Sequence, residues 1–94
     1  MVEFLYDKDA NALEIRLADG IVARTVEVDS GTLVDVNEAG AALSIEVIQP
    51  ARPVPIEEII ERFGIADREA DVLRSLWSDS ARYPFETARE LVVA

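Results

Sequence analysis

YDKDANALEIRL, residues 6–17, decides the fold, because it joins the end of one alternating apolar pattern to the start of a second. Apolar side chains recur at every second position on both sides of a polar segment: Val2, Phe4 and Tyr6 before it, and Leu13, Ile15 and Leu17 after it. Alternation of this period is typical of a strand that buries one face. The Asp and Asn residues between the two patterns favour a tight turn, so the sequence predicts a β-hairpin.

The turn of this hairpin also resembles the opening of a calcium-binding loop, with Asp7, Asp9 and Asn11 at alternate positions. A loop of that type needs Gly at its sixth position and Glu at its twelfth. Those positions hold Ala12 and Ala18. A turn is therefore the favoured interpretation, and the first three residues are kept only as candidate metal ligands that lack the groups to close the coordination shell.

Three more alternating patterns follow the hairpin, separated by short segments that contain Gly together with Asp or Asn. They cover residues 22–29, 32–37 and 42–48. Arg24 falls among the apolar positions of the first pattern, which predicts either an exposed strand end or a β-bulge. Because strands joined by short links tend to pair with their neighbours in sequence, we expect an antiparallel meander.

A proline-rich linker, residues 50–55, stops the sheet, since proline cannot donate a hydrogen bond to a strand ladder. Residues 56–63 then carry apolar side chains at helical spacing, and Gly64 is placed to end that helix in the left-handed conformation.

A second helix is predicted from Asp67, a good N-cap residue. Its apolar stripe consists of Ala70, Leu73, Leu76 and Trp77. Pro84 is placed to open a last short helix that ends near Leu91, although residues 91–93 also fit a strand.

The expected fold class is α+β: an antiparallel meander sheet of about five strands in residues 1–48, with one face covered by two or three C-terminal helices in residues 55–91. A sheet with one apolar face needs such a cover in water. We expect a single domain over residues 1–94, divided into a β-meander (1–49), the linker (50–55) and a helical cover (56–94).

Composition excludes several classes of function. The 94 residues contain no Cys and no His, so thiol chemistry and the commonest general base are missing. The formal net charge of −10 disfavours nucleic acid and anionic lipid as partners. No apolar run approaches the length of a membrane span, and Glu3 stands where a signal peptide would carry basic residues. We expect a cytoplasmic protein.

Three motifs resemble the domain of unknown function 2283 family, which comprises small, uncharacterised bacterial proteins. They are YDKDANALEIRL, VDVNEAG (residues 34–40) and SIEV (residues 44–47), and the resemblance covers about residues 2–48. Asn11 stands where that family more usually has Asp, and Ser44 where it commonly has Gly. The resemblance implies no assigned reaction and no catalytic residues. Some members look like the small partner in gene pairs of toxin–antitoxin type, which implies a protein-binding role.

Four acidic residues are predicted to project from the non-core face of neighbouring strands: Glu14, Glu27, Asp35 and Glu46. They are candidates for an interaction face that binds a metal or a basic partner, and the alternative is an ordinary solvated sheet face. Trp77 is a further interaction candidate, although its helical spacing favours a core or interface position. No residue set is specific enough to be assigned as catalytic or cofactor-binding.

Two hypotheses follow from the sequence. The favoured one is a non-catalytic protein-interaction or oligomerisation module, either a homodimer or an antitoxin-like partner of a small basic protein. The alternative is a carboxylate-based, metal-dependent enzyme or a metal-binding protein, which requires at least three convergent Asp or Glu residues.

Overall fold

The structure is a computed structural model that describes residues 2–50, 52–77 and 90–93, the last four through their backbone only. These residues form six strands and two helices: β1 (Val2–Asp7), β2 (Ala12–Arg16), β3 (Arg24–Asp29), β4 (Thr32–Val36), β5 (Ala42–Ile48), α1 (Ile56–Phe63), α2 (Asp67–Leu76) and β6 (Glu90–Val93). The α+β class and the antiparallel sheet are confirmed.

The order of the strands differs from a simple meander. The sheet runs β3-β4-β5-β2-β1-β6, so β2 pairs with β5 and not with β3. Residues 17–23 cross the ends of β5 and β4 to reach the far edge of the sheet. The backbone N–H groups of Leu17 and Ala18 both donate to the carbonyl oxygen of Leu43, at 2.8 and 3.1 Å, and that of Ala23 donates to Val36 at 2.8 Å. These three bonds hold the crossing segment against the ends of β5 and β4. The segment is too long for a tight hairpin turn.

Both helices pack on one face of the sheet, where the alternating apolar residues point. The fully buried core joins Leu13, Ile15, Val34, Ile45 and Val47 of the sheet to Ile59 of α1 and Leu73 of α2. The buried apolar area supplies the main stabilising free energy of a domain of this size. The helices are therefore the cover that the sequence predicts for an apolar sheet face.

The expectation of a third helix is wrong for the described part of the chain, which contains two. Residues 84–89 lie outside the described residues, and Glu90–Val93 form β6, which pairs with β1. The alternative interpretation of the tail as a strand is thus confirmed.

The helix ends follow the predictions in part. Gly64 ends α1 in the left-handed region, with φ 61° and ψ 40°, as predicted. The prediction that Asp67 is the N-cap of α2 is wrong, because Ala66 occupies that position and Asp67 is the first helical residue. A carboxylate in the first turn still interacts favourably with the positive end of the helix dipole.

Arg52 fastens the proline-rich linker to the β3–β4 turn. Its guanidinium donates to both carboxylate oxygens of Asp29, at 3.3 and 3.4 Å, and to the hydroxyl of the fully buried Thr32 at 2.9 Å. It also donates to the carbonyl oxygens of Ile48 and Pro53. The linker therefore has a fixed course from the end of β5 to the start of α1.

Candidate functional site

The sheet face opposite the helices is the candidate site, and we call it the open face. Both helices pack against the other face. Alternation along the strands places thirteen side chains on it: Glu3, Leu5, Asp7, Ala12, Glu14, Arg16, Thr25, Glu27, Leu33, Asp35, Ser44, Glu46 and Ile48. The four acidic residues singled out in the sequence all belong to this set.

One row of the open face concentrates negative charge. The strand register places Glu14 directly opposite Glu46, and Leu33 between Glu46 and Glu27. Leu5 lies opposite Glu14 at the other end of the row and is 49% exposed. Directly opposed side chains on one sheet face lie about 5 Å apart at Cβ, so two carboxylates there repel each other.

The charges of this row are incompletely balanced. The Arg16 guanidinium lies 3.5 Å from a carboxylate oxygen of Glu14. Among the described residues, Glu27 and Glu46 form no ion pair. The row therefore retains acceptors that can bind an incoming cation.

A second row is polar and internally hydrogen-bonded. Asp35 accepts hydrogen bonds from the hydroxyls of Thr25 at 2.5 Å and Ser44 at 3.1 Å, one on each carboxylate oxygen. Arg16 lies opposite Ser44, and Glu3 lies opposite Arg16. The two hydroxyls fix the orientation of the Asp35 carboxylate, whose remaining lone pairs can still accept a donor.

A shallow cavity of about 270 Å³ adjoins these rows where residues 17–23 cross the sheet end. Its lining includes Glu14, Arg16, Asp19, Asp35 and Ser44. Pockets for small molecules usually measure about 300–1,000 Å³. The cavity is thus better suited to a side chain of a partner than to a drug-sized ligand.

The candidate metal ligands of the first turn serve the turn itself. One carboxylate oxygen of Asp7 accepts the backbone N–H groups of Asp9 and Ala10, at 3.1 and 3.2 Å. The side-chain oxygen of Asn11 accepts the Tyr6 hydroxyl at 2.6 Å, and Asn11 has φ 50°. No group of three or more Asp and Glu residues within the described ranges could hold a metal ion.

Trp77 does not join the acidic residues. It packs against the core from the helical layer, and its indole N–H donates to the carbonyl oxygen of Pro50 at 2.8 Å. It ties the end of α2 to the start of the linker, which is a structural role on the opposite side of the sheet.

Two carboxyl groups with lowered pKa also lie outside the open face. Burial raises the pKa of Asp29, but the hydrogen bonds from Gly31, Thr32 and Arg52, with the charge of Arg52, outweigh it and lower the pKa overall. The hydrogen bond from Arg74 lowers the pKa of Glu57, and the same contact raises the pKa of Arg74. Both shifts arise from contacts that stabilise the fold.

The sequence did not single out the apolar and hydroxyl members of the open face. Leu5 and Ile48 interrupt the polar positions of their strands, and Ile48 is 38% exposed. These two interruptions were the available signal, because several exposed apolar side chains on one face can mark an interaction site. Thr25 and Ser44 carry no comparable signal, since their partner Asp35 lies on another strand.

A comparison with family models matches residues 3–49 to a protein family described as a protein of unknown function, DUF2283. The chain belongs to the DUF2283 family. The DUF2283 match covers β2 to β5 and all of β1 except Val2, and with them every residue of the open face. The helices and β6 lie outside it. No curated protein and no solved structure matches this chain.

Neither described helix combines the length and the apolar character needed to cross a membrane.

Proposed function

We propose that this protein is a non-catalytic interaction module whose open face binds a basic protein partner. The observation that supports this most is the direct opposition of Glu14 and Glu46 on a sheet face that neither described helix covers. Opposed like charges destabilise a strand pair, by about 0.2–1 kcal/mol on the scale of cross-strand pairs. A Lys or Arg of a partner placed between the two carboxylates turns that repulsion into attraction.

The apolar members of the open face add to the case. Leu5 and Ile48 are exposed beside the carboxylates. Burial of large apolar side chains supplies affinity in protein interfaces, while charge supplies steering and specificity. A partner that presents apolar side chains among basic ones therefore fits this face, and its binding should weaken as ionic strength rises.

The test is co-expression with the product of the adjacent gene, followed by co-purification. In the face variant, Glu27→Lys and Glu46→Lys reverse two charges on the open face. In the control variant, Glu58→Lys and Glu61→Lys make the same charge change on the exposed side of α1. We expect the wild type and the control to retain the partner and the face variant to lose it.

Circular dichroism of each variant separates loss of binding from loss of folding. Failure of the wild type to co-purify with that product, equal retention by both variants, or equal loss from both would contradict the proposal. Equal loss would show that net charge alone, and not this face, governs the association.

An antitoxin-like role is one form of this proposal, and a cytoplasmic location is part of it. The absence of cysteine is compatible with a reducing compartment. No specific observation favours the alternative of a carboxylate-based metal-dependent enzyme, since the described residues provide no group of three carboxylates for a metal.

A further inference from the structure

Strand β3 forms an edge of the sheet, with β4 as its neighbour among the described strands. The carbonyl oxygen of Gly31 accepts the N–H of Ile48, so the odd residues of β4 bond to β5 and the even ones, Val34 and Val36, bond to β3. Their partners Val26 and Arg24 therefore face β4, and the N–H groups of Thr25 and Glu27 face outward. An outward row of donors and acceptors is a template for another strand.

Exposed apolar residues continue this edge. Ile21 is 88% exposed and Val22 is 50% exposed, immediately before β3. Residues 21–28, IVARTVEV, carry one Arg and one Glu, so this segment is neutral in a chain of net charge −10. Electrostatic repulsion between two copies of the chain is therefore smallest where this segment faces its own copy.

We propose that two copies of the chain pair through β3 in antiparallel orientation, with Thr25 of each copy facing the other at a two-fold axis. In this register the two Thr25 residues exchange N–H···O=C hydrogen bonds across the axis, because their backbone groups face outward. It opposes Ala23 to Glu27 and brings Val22 close to Val28, so an exposed apolar side chain gains a partner.

Other symmetric registers fit less well. In a sheet that continues across the two-fold axis, directly opposed residues project from the same face. The axis must therefore pass between one residue and the same residue of the other copy. Centring on Arg24 opposes two cations, and centring on Glu27 opposes two carboxylates, which are unfavourable cross-strand pairs. Centring on Val26 extends the pairing into the register shift between Glu27 and Asp29. The Thr25 register uses residues 23–27, all of which precede that shift.

The association is independent of a basic partner, so it is tested on the purified chain alone. Light scattering after size-exclusion chromatography, over about two decades of protein concentration, should show a mass rising from the 10.4 kDa of one chain towards twice that value. Thr25→Pro removes an outward N–H, which an edge strand tolerates, and should keep the mass at one chain. Thr25→Ala removes the same hydroxyl but retains the N–H, so it should still form the dimer.

Amide hydrogen exchange of the wild type gives a second measurement that needs no variant. The amides of Thr25 and Glu27 should gain protection as concentration rises, while those of Arg24 and Val26 are protected throughout. If Thr25→Pro fails to fold, this measurement decides alone. A wild-type monomer at the highest concentration would overturn the proposal and leave the edge to a strand of another protein. A dimer in which Thr25 and Glu27 exchange equally fast at all concentrations would overturn it as well.

Discussion

Replacing Arg52 by Ala should destabilise the fold by about 2 kcal/mol, more than any other exposed or half-exposed cation of the described chain would. Arg52 forms two bonds to Asp29, one to buried Thr32 and two to linker carbonyls. An exposed ion pair contributes about 0–1 kcal/mol. The side chains of Arg52 and Asp29 are only 26% and 35% exposed, and a charged hydrogen bond contributes about 1.5–3 kcal/mol when protected. Because both side chains are partly exposed, we expect a total contribution of about 2 kcal/mol, between the values for an exposed ion pair and a protected charged hydrogen bond.

The assay is urea unfolding followed by the fluorescence of Trp77, the single tryptophan, with circular dichroism as a second probe. A loss of about 2 kcal/mol should lower the melting temperature by roughly 10 °C in a domain of this size. Arg62→Ala is the matched control, because Arg62 pairs with Glu58 at 3.8 Å on the surface of one helix. Its loss should cost less than about 1 kcal/mol. Equal effects of the two substitutions would refute the idea that Arg52 fastens the linker.

The stability cost of Arg52→Ala should depend on pH in a direction that follows from the pKa of Asp29. The pKa of Asp29 is lowered in the folded state, below its ordinary value of 3.8. Its stabilising contribution is therefore complete above pH 3.8 and is lost as pH falls through the lower, folded-state pKa. The stability difference between the wild type and Arg52→Ala should be constant near neutral pH and should shrink below pH 3.8. A difference that grows on acidification would contradict the assignment.

Three further predictions concern stability and use the same unfolding assay. Glu46→Lys should raise the free energy of unfolding by about 0.2–1 kcal/mol, because it faces Glu14 across the strands; a loss of stability would contradict the charge repulsion described here. Leu73→Ala should cost about 2–5 kcal/mol, since the side chain is fully buried between helix and sheet, and a cost below 1 kcal/mol would show that the helical cover is loosely packed. Gly31→Ala should destabilise the wild type more than an Arg52→Ala background, because the added Cβ would lie 2.5 Å from the Arg52 guanidinium; equal costs in both would exclude that clash.

The sequence was sufficient to predict the strands and helices because their apolar side chains follow the period of each element. Leu13, Ile15 and Ile45 are fully buried as alternation requires, and Ile59 and Leu73 are buried as helical spacing requires. These signals are local. The choice of neighbour for each strand is not local, and the prediction of a meander was wrong there.

Gly20 shows why the strand order could not be deduced. In the sequence it is an ordinary turn glycine, which favours a hairpin between β2 and β3. In the structure the crossing segment passes so close to β5 that a Cβ at Gly20 would lie 3.0 Å from the Leu43 side chain. A glycine needed for close approach and a glycine needed for a turn look the same in one sequence. The bonds of Arg52 were hidden for a similar reason, since Asp29 precedes it by 23 residues.

The size of the open face links partner binding to the pairing of β3. Five strands of about five residues give a face of about 24 by 17 Å, or about 400 Å² in projection. Each protein in a standard complex contributes about 800 Å², so one open face is small for a stable interface. Pairing through β3 about a two-fold axis places both open faces on the same side of one continuous sheet and doubles the acidic surface.

Thr25→Pro should therefore bind the basic partner about tenfold or more weakly than Thr25→Ala, although both variants lose the same hydroxyl from the open face. Thr25→Ala keeps the outward N–H and should remain a dimer. Titration of the co-purified partner against each variant measures this directly, at concentrations where the wild type is a dimer. If the monomeric variant binds as tightly as the wild type, a single open face is sufficient and the coupling between the two surfaces does not exist.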